Sequence, residues 1–176
     1  MPLLKNSIFV EDSFTHLEDD AAVGDAAAVT VTFARLEKEW DQLVKLPGLL
    51  GVRLNNTTKA ADLAPYLSHL ALIVVPFPAF GDGRAYSLAR ALRLDGYQSE
   101  LRATGNVLPD QLQMMRQVGI DSFEVTERFP LEAWQRASRQ MSLAYQRGLY
   151  RSVGEREVWS ERHQGFAAWE EQPHAG

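Results

Sequence analysis

The sequence predicts an α/β protein with a mainly parallel sheet. From Val29 onward, β-branched or apolar runs alternate with segments whose apolar residues recur at helical spacing. The run Ala71–Phe77 is almost continuously apolar, which is typical of a parallel strand covered on both faces. Pro47, Gly96 and Gly119 stand where predicted helices end, a position that favours proline and glycine.

Five strands are predicted, each followed by a helix. The strands cover Val29–Phe33, Leu49–Leu54, Ala71–Phe77, Glu100–Thr104 and Ser122–Thr126. The helices cover Leu36–Leu46, Ala60–Leu70, Arg84–Asp95, a segment from Asn106 to Gly119, and a last one from Pro130 to Gln146. We therefore expect about five tandem βα units with right-handed crossovers. An open doubly wound sheet and a truncated βα barrel both fit, since a complete barrel needs about 250 residues.

The two ends of the chain differ from this pattern. Residues 7–28 form a lead-in, with an edge strand or arm at Ile8–Val10 and a polar loop after it. Residues 1–149 are predicted to be one domain, and residues 150–176 a C-terminal arm that is partly disordered. Three aromatic residues of that arm are candidates for packing on the domain or on a partner: Trp159, Phe166 and Trp169.

Composition excludes several classes of function. The 18 Lys and Arg against 23 Asp and Glu give a net charge of -5, which disfavours general nucleic-acid binding. With no cysteine, the chain has no disulfide, thiolate metal ligand or cysteine nucleophile. The first ten residues do not read as a signal peptide, and the longest apolar run, Leu70–Phe80, is too short to span a bilayer. We therefore expect a cytoplasmic protein.

The loop after the third predicted strand is the first candidate site, because parallel sheets bind ligands at the carboxyl ends of their strands. Gly81 and Gly83 flank Asp82 and allow a ligand to approach the backbone closely. The helix that starts at Arg84 offers unpaired N–H groups to an anion, and the Arg84 guanidinium is a predicted ligand-binding group beside them. Asp82 is a candidate for proton transfer, although capping of the helix explains an Asp there equally well.

The loops after the fourth and fifth strands extend this candidate site. The predicted ligand-binding residues there are Arg102, Gly105, Gln111 and Glu124, with Asp110 as a second candidate for proton transfer. A structural alternative stays open, in which Arg102 pairs with Glu100, Glu124 or Asp110. Arg90 and Arg93 are expected on an outward, solvated face of the third helix.

Other chemistries have no support in the sequence. The four histidines are scattered, so no metal site is predicted. Gly81-Asp82-Gly83 lacks the third glycine of a dinucleotide fingerprint, and no Walker A motif occurs. The cofactor therefore stays unassigned.

Several long motifs resemble one bacterial family. They are Phe77-Pro78-Ala79-Phe80-Gly81-Asp82-Gly83-Arg84-Ala85-Tyr86-Ser87-Leu88-Ala89-Arg90, then Glu100-Leu101-Arg102-Ala103-Thr104-Gly105-Asn106-Val107-Leu108-Pro109-Asp110-Gln111, then Gly119-Ile120-Asp121-Ser122-Phe123-Glu124. This pattern is similar to the bacterial domain of unknown function 934 family. Members of that family are often labelled oxidoreductases of sulfite reduction, because their genes tend to lie beside those for sulfite reductase.

Two functions are compatible with this resemblance. The first is an enzyme or accessory protein of assimilatory sulfate or sulfite reduction that binds a small oxyanion or a sulfonucleotide. The second is a non-catalytic subunit or assembly partner of a sulfite reductase. The expected partners are thus an oxyanion and a sulfur-assimilation enzyme, with a homodimer as a further option, and neither nucleic acid nor a membrane is expected.

Overall fold

The computed structural model describes residues 1–22, 26–140, 143–144 and 156–157. Its main sheet has eight strands: β1 (Leu3–Lys5), β2 (Ile8–Val10), β3 (Thr15–His16), β4 (Ala28–Thr32), β5 (Leu49–Arg53), β6 (Leu70–Phe77), β7 (Glu100–Gly105) and β8 (Ser122–Glu124). The helices are α1 (Phe33–Leu43), α2 (Ala60–Leu63), α3 (Arg84–Leu94), α4 (Leu112–Gln117) and α5 (Leu131–Gln140). A separate parallel pair joins β9 (Leu143–Ala144) to β10 (Arg156–Glu157). The predicted α/β class is confirmed.

The strand order makes the sheet a half-barrel. Strands β3 to β8 lie side by side in chain order and are all parallel, while β1 is antiparallel to both β8 and β2. When right-handed crossovers all advance in the same direction across a sheet, the connecting helices lie on the same face of that sheet. The sheet then curves so that its opposite face becomes concave. A doubly wound sheet needs a reversal of strand order, which is absent between β3 and β8. The truncated barrel is therefore the architecture that matches.

The convex face of the half-barrel carries the hydrophobic core. Alternate residues of each strand point to this face and pack against all five helices. The strand residues are Leu4, Val29, Val31, Leu50, Val52, Ile73, Val75, Phe77, Leu101, Ala103 and Phe123. The helices contribute residues such as Leu36, Leu63, Ala89, Met115 and Trp134, all of them fully buried. The other alternate residues therefore point to the concave face.

The N-terminal lead-in is part of the sheet. The predicted strand at Ile8–Val10 is confirmed as β2, and a second strand, β1, precedes it. Asn6 and Ser7 connect the two with positive φ angles of 51° and 63°, the conformation of a tight two-residue hairpin turn. Leu3 and Leu4 are buried. The hairpin therefore extends the half-barrel beyond β8.

Two predictions about the helices are wrong. Instead of one helix over Ala60–Leu70, α2 ends at Leu63 and short-range turns follow it, because Pro65 lacks the N–H group that would continue the helix. Arg93 is buried rather than solvated, and it donates hydrogen bonds to the carbonyls of Tyr97, Ser99 and Gly119. The predicted helix end at Gln146 and the arm aromatics Trp159, Phe166 and Trp169 lie outside the described residues.

Candidate functional site at the carboxyl edge of the half-barrel

The concave face carries a polar network, defined by side chains from three strands. They stand at alternate positions: Arg53 in β5, Glu100, Arg102 and Thr104 in β7, and Ser122 and Glu124 in β8. In the parallel register, Arg53 pairs with Val74, Val74 pairs with Arg102, and Arg102 pairs with Ser122. These residues therefore form one row across the sheet. The sequence signal for this network is a polar residue at every second position of strands that are otherwise apolar.

Glu124 lies at the centre of the carboxyl end of the network. The two Nη atoms of Arg53 donate to its two carboxylate oxygens at 3.2 and 2.6 Å, and the Thr104 hydroxyl donates to it at 2.7 Å. Arg102 adds a longer contact of 3.6 Å. The Glu124 side chain is only 8% exposed, so these donors replace the water that its charge would otherwise require.

Arg102 is buried to a similar degree and is also paired. Its guanidinium donates to Asp12 at 2.7 Å and to Glu100 at 3.0 and 3.2 Å, with a side-chain exposure of 2%. Glu100 and Glu124 are two of the three carboxylates that the sequence analysis gave as structural ion-pair partners of Arg102. Asp12 belongs to the segment after β2, so the ion pair also holds this segment against the concave face.

Glu100 completes the network towards the amino ends of the strands. Lys5 and Ser122 donate to its carboxylate at 2.8 and 2.6 Å, in addition to Arg102. Burial opposes its ionisation, but these three donors outweigh that effect and hold the pKa of Glu100 below its ordinary value. The three cations Lys5, Arg53 and Arg102 are thus balanced by Asp12, Glu100 and Glu124.

This balance decides what the network can do. Each carboxylate already has its donors, and both Nη atoms of each arginine are engaged, which leaves little positive charge for a ligand. One donor, Arg53 Nε, is buried without a partner. The charged groups of the network are therefore paired mainly with one another.

The loop between β6 and α3 presents a different kind of arginine. The Arg84 side chain is 62% exposed, and its Nε and Nη2 atoms donate to Asp82 at 2.9 and 2.6 Å. The Arg84 backbone N–H also donates to Asp82 at 3.1 Å in a local turn, while Gly83 is the N-cap residue of α3. These hydrogen bonds from the Arg84 side chain and backbone lower the pKa of Asp82 to about 2. Asp82 therefore holds one edge of the guanidinium and leaves the other edge open to solvent.

The glycines of this loop have no structural explanation in the fold. A Cβ atom placed on Gly81 or Gly83 would meet nothing within 4 Å, and neither residue has a positive φ. Phe80, next to them, is 60% exposed. Open backbone beside an exposed arginine and an exposed aromatic ring is suited to close contact with a ligand or a partner.

The other predicted site residues lie around the same edge. Asp110 and Gln111 stand in a short 3-10 turn before α4, and burial together with the Asp110 charge raises the pKa of Tyr86 in α3. Gln111 is buried, and its Oε1 atom has no hydrogen-bond partner. Gly105 has a φ of 97°, and a Cβ there would meet the Phe77 carbonyl oxygen at 2.7 Å, so this glycine is required by the fold.

The predicted site residues thus form two groups. The structure brings Arg102 and Glu124 together in the concave network, and it pairs Asp82 with Arg84 in the exposed loop. Sequence reasoning omitted Arg53, Glu100 and Thr104 from the site. Within residues 1–22 and 26–139, no three His, Asp or Glu side chains are grouped as metal ligands. Across the described part of the chain, no helix is long and apolar enough to cross a membrane.

The fold and these residues define a half-barrel α/β protein with a polar carboxyl edge. A family model described as "Bacterial protein of unknown function (DUF934)" matches residues 51–154, and the chain belongs to this family. The matched region runs from β5 through α5 and includes both the Arg53–Glu124 pair and the Asp82–Arg84 loop. No curated protein gives a significant match.

Proposed function

We propose that this protein is a cytoplasmic accessory protein of assimilatory sulfate or sulfite reduction that binds a small oxyanion or a sulfonucleotide at the carboxyl edge of the half-barrel. The process is suggested by the genes that neighbour the family's members. The binding is suggested by one observation, the exposed Arg84 guanidinium held by Asp82 at the start of α3. The scaffold in this proposal is the run of five strand–helix pairs from β4 to α5.

Arg84 supplies the charge for an anion in this proposal. Its free edge can donate two hydrogen bonds to an oxyanion in the fork geometry that arginine favours. The first turn of α3 adds backbone N–H groups other than that of Arg84, which donates to Asp82, and a Cβ on Gly83 would meet nothing within 4 Å. Asp82, with a pKa of about 2, stays ionised at neutral pH and thus orients Arg84 rather than donating a proton. Asp110 is then the carboxylate available for proton transfer to a bound ligand.

Thermal-shift measurements with purified protein test this proposal. The probes are sulfite, sulfate, phosphate and adenylylsulfate, with Arg84→Ala as the test variant and Arg90→Ala as the matched control, since Arg90 is an exposed arginine of the same helix. At about 100 times its dissociation constant, a ligand should add about 2.7 kcal/mol and shift Tm by several degrees. The shift should persist in the control and vanish in Arg84→Ala. A shift of equal size in Arg84→Ala, or none with any probe, would overturn the proposal.

A non-catalytic role beside sulfite reductase is the second candidate, and the exposure of Phe80 favours it. Large aromatic residues that are 60% exposed on a rigid loop are typical anchors of protein interfaces. Under this alternative, Phe80→Ala should weaken binding of purified sulfite reductase by tenfold or more. Leu94→Ala, which truncates an equally exposed apolar side chain of α3, should leave that binding unchanged. Equal affinities of the two variants would exclude this role for Phe80.

A further inference from the structure

A basic cluster lies at the opposite edge of the sheet, away from Arg84. It consists of Arg116 at the end of α4, and Arg136 and Arg139 on α5. The β1–β2 hairpin turn lies beside it, because Lys5 pairs with the first residue of β8 and Ser7 follows Lys5 closely. The cluster therefore lies at the amino edge, where the parallel strands begin.

Arg116 has an unusual environment. It is half-buried, and its Nη2 atom donates to the Ser7 hydroxyl at 3.0 Å. Within the described part of the chain, no carboxylate lies within ion-pair distance of Arg116, Arg136 or Arg139. Burial alone lowers the pKa of Arg116, since no nearby acid compensates the lost hydration. In a chain of net charge -5, three arginines without acidic partners among the described residues, on two helices in contact with each other, are unusual.

A cavity adjoins these arginines. It is an open surface pocket with a volume of about 440 Å³, and its described lining residues are Glu132, Gln135, Arg136 and Arg139 on one face of α5. The Gln135 amide donates to the Ser7 carbonyl at 3.4 Å, so Gln135 and Arg116 contact the same residue. Arg116 is thus connected through Ser7 to Gln135, a lining residue of the pocket.

We propose that this cavity is a second binding site, for a small molecule that carries a phosphate or sulfate group. Arg116 and Arg139 bind the oxyanion, because guanidinium groups without acidic partners pair with tetrahedral oxyanions through charge-assisted hydrogen bonds. Arg136 adds positive charge beside them. Glu132 lies two turns of helix from Arg139 and accepts hydrogen bonds from a hydroxyl or amino group elsewhere on the ligand. The ligand class is thus a phosphate or sulfate ester of a polyol or nucleoside.

NMR titrations of the ¹⁵N-labelled full chain test this site. The probes are inorganic phosphate, inorganic sulfate, adenosine 5′-monophosphate, and adenosine as the probe without an oxyanion. Binding of the monophosphate should be saturable, with shifts of the Ser7, Gln135 and Arg139 amides, and Arg139→Ala should weaken it about tenfold or more. Glu132→Gln should weaken the monophosphate but not inorganic phosphate, which separates an ester site from a free-anion site.

The controls distinguish this site from the Arg84 loop. Arg84→Ala and Arg90→Ala should both leave these shifts unchanged, since neither residue lies at the amino edge. The proposal is overturned if no phosphate or sulfate probe gives saturable shifts in wild type, if Arg139→Ala binds as tightly as wild type, or if Arg90→Ala weakens binding equally. A negative result here leaves the Arg84 proposal unaffected, because that proposal depends on a different variant.

Discussion

Arg53 and Glu124 are joined by two hydrogen bonds of 3.2 and 2.6 Å although β6 and β7 lie between their strands. In a flat sheet, three strand spacings would separate their backbones by about 14 Å. The short contact therefore depends on the curl of the sheet, which turns both side chains towards the centre of the concave face. The pair therefore links β5 directly to β8 across the concave face.

Arg53→Met should destabilise the fold, because it leaves the buried Glu124 carboxylate with Thr104 and a distant Arg102 as its partners. We expect a loss of about 2–4 kcal/mol in the free energy of unfolding, measured by urea denaturation. The double variant Arg53→Met/Glu124→Leu should lose less than the single one, since no unpaired charge remains. If Arg53→Met is as stable as wild type, the Arg53–Glu124 pair does not stabilise the curved sheet.

Glu100→Gln should make the stability of the protein less dependent on acidic pH. The folded-state pKa of Glu100 lies below its ordinary value of 4.5, so the unfolded chain takes up its proton first as the pH falls. This group therefore stabilises the fold above pH 4.5 and loses that effect as the pH falls through the lowered pKa. At neutral pH the variant should be less stable by about 1–3 kcal/mol.

The measurement is urea denaturation of wild type and Glu100→Gln at a series of pH values. The difference between the two should stay constant near neutrality and shrink steadily below pH 4.5. Burial raises the pKa of Asp121 and the Glu100 charge adds to that rise, so Glu100→Gln also moves the Asp121 pKa slightly back towards its ordinary value. A gap that is independent of pH would contradict the ion-pair role of Glu100.

Gly119→Ala should destabilise the protein more than Gly96→Ala. Both glycines have a positive φ, 96° and 92°, that costs any other residue backbone strain. Only at Gly119 would the new Cβ also meet Arg93, with its Cγ at 2.6 Å. We expect about 1 kcal/mol for Gly96→Ala and about 2–3 kcal/mol for Gly119→Ala by thermal denaturation. Equal losses would show that Arg93 does not constrain the end of α4.

Gly83→Ala should separate stability from ligand binding. Gly83 has φ and ψ of -79° and -7°, which alanine adopts easily, and its Cβ would point into open space. The free energy of unfolding should therefore stay unchanged or rise by up to about 1 kcal/mol. Oxyanion affinity should fall if the ligand approaches this backbone, as judged by the thermal-shift response to sulfite. A variant that is clearly destabilised would show a structural need for this glycine.

The sequence predicts the α/β class well, because the strands and helices have strong and distinct periodicities. Ala71–Phe77 and Arg84–Asp95 lie within a residue or two of β6 and α3. The curl could not be predicted, because it depends on which face each helix crosses and not on any local pattern. The sequence could suggest the pairing of Arg102 with Glu100 and Glu124, but not the Arg53–Glu124 pair, whose residues are 71 positions apart. Arg84 could be found, because the Gly81–Arg84 loop is a contiguous motif.

Isothermal titration of sulfite into wild type, Arg84→Ala and Arg90→Ala, with the urea midpoint of each protein measured in parallel, tests the Arg84 site most directly. Wild type and Arg90→Ala should bind sulfite saturably, and Arg84→Ala should bind it about tenfold or more weakly at an unchanged urea midpoint. Equal affinity of Arg84→Ala and wild type for sulfite would contradict the assignment of the carboxyl-edge loop as the oxyanion site.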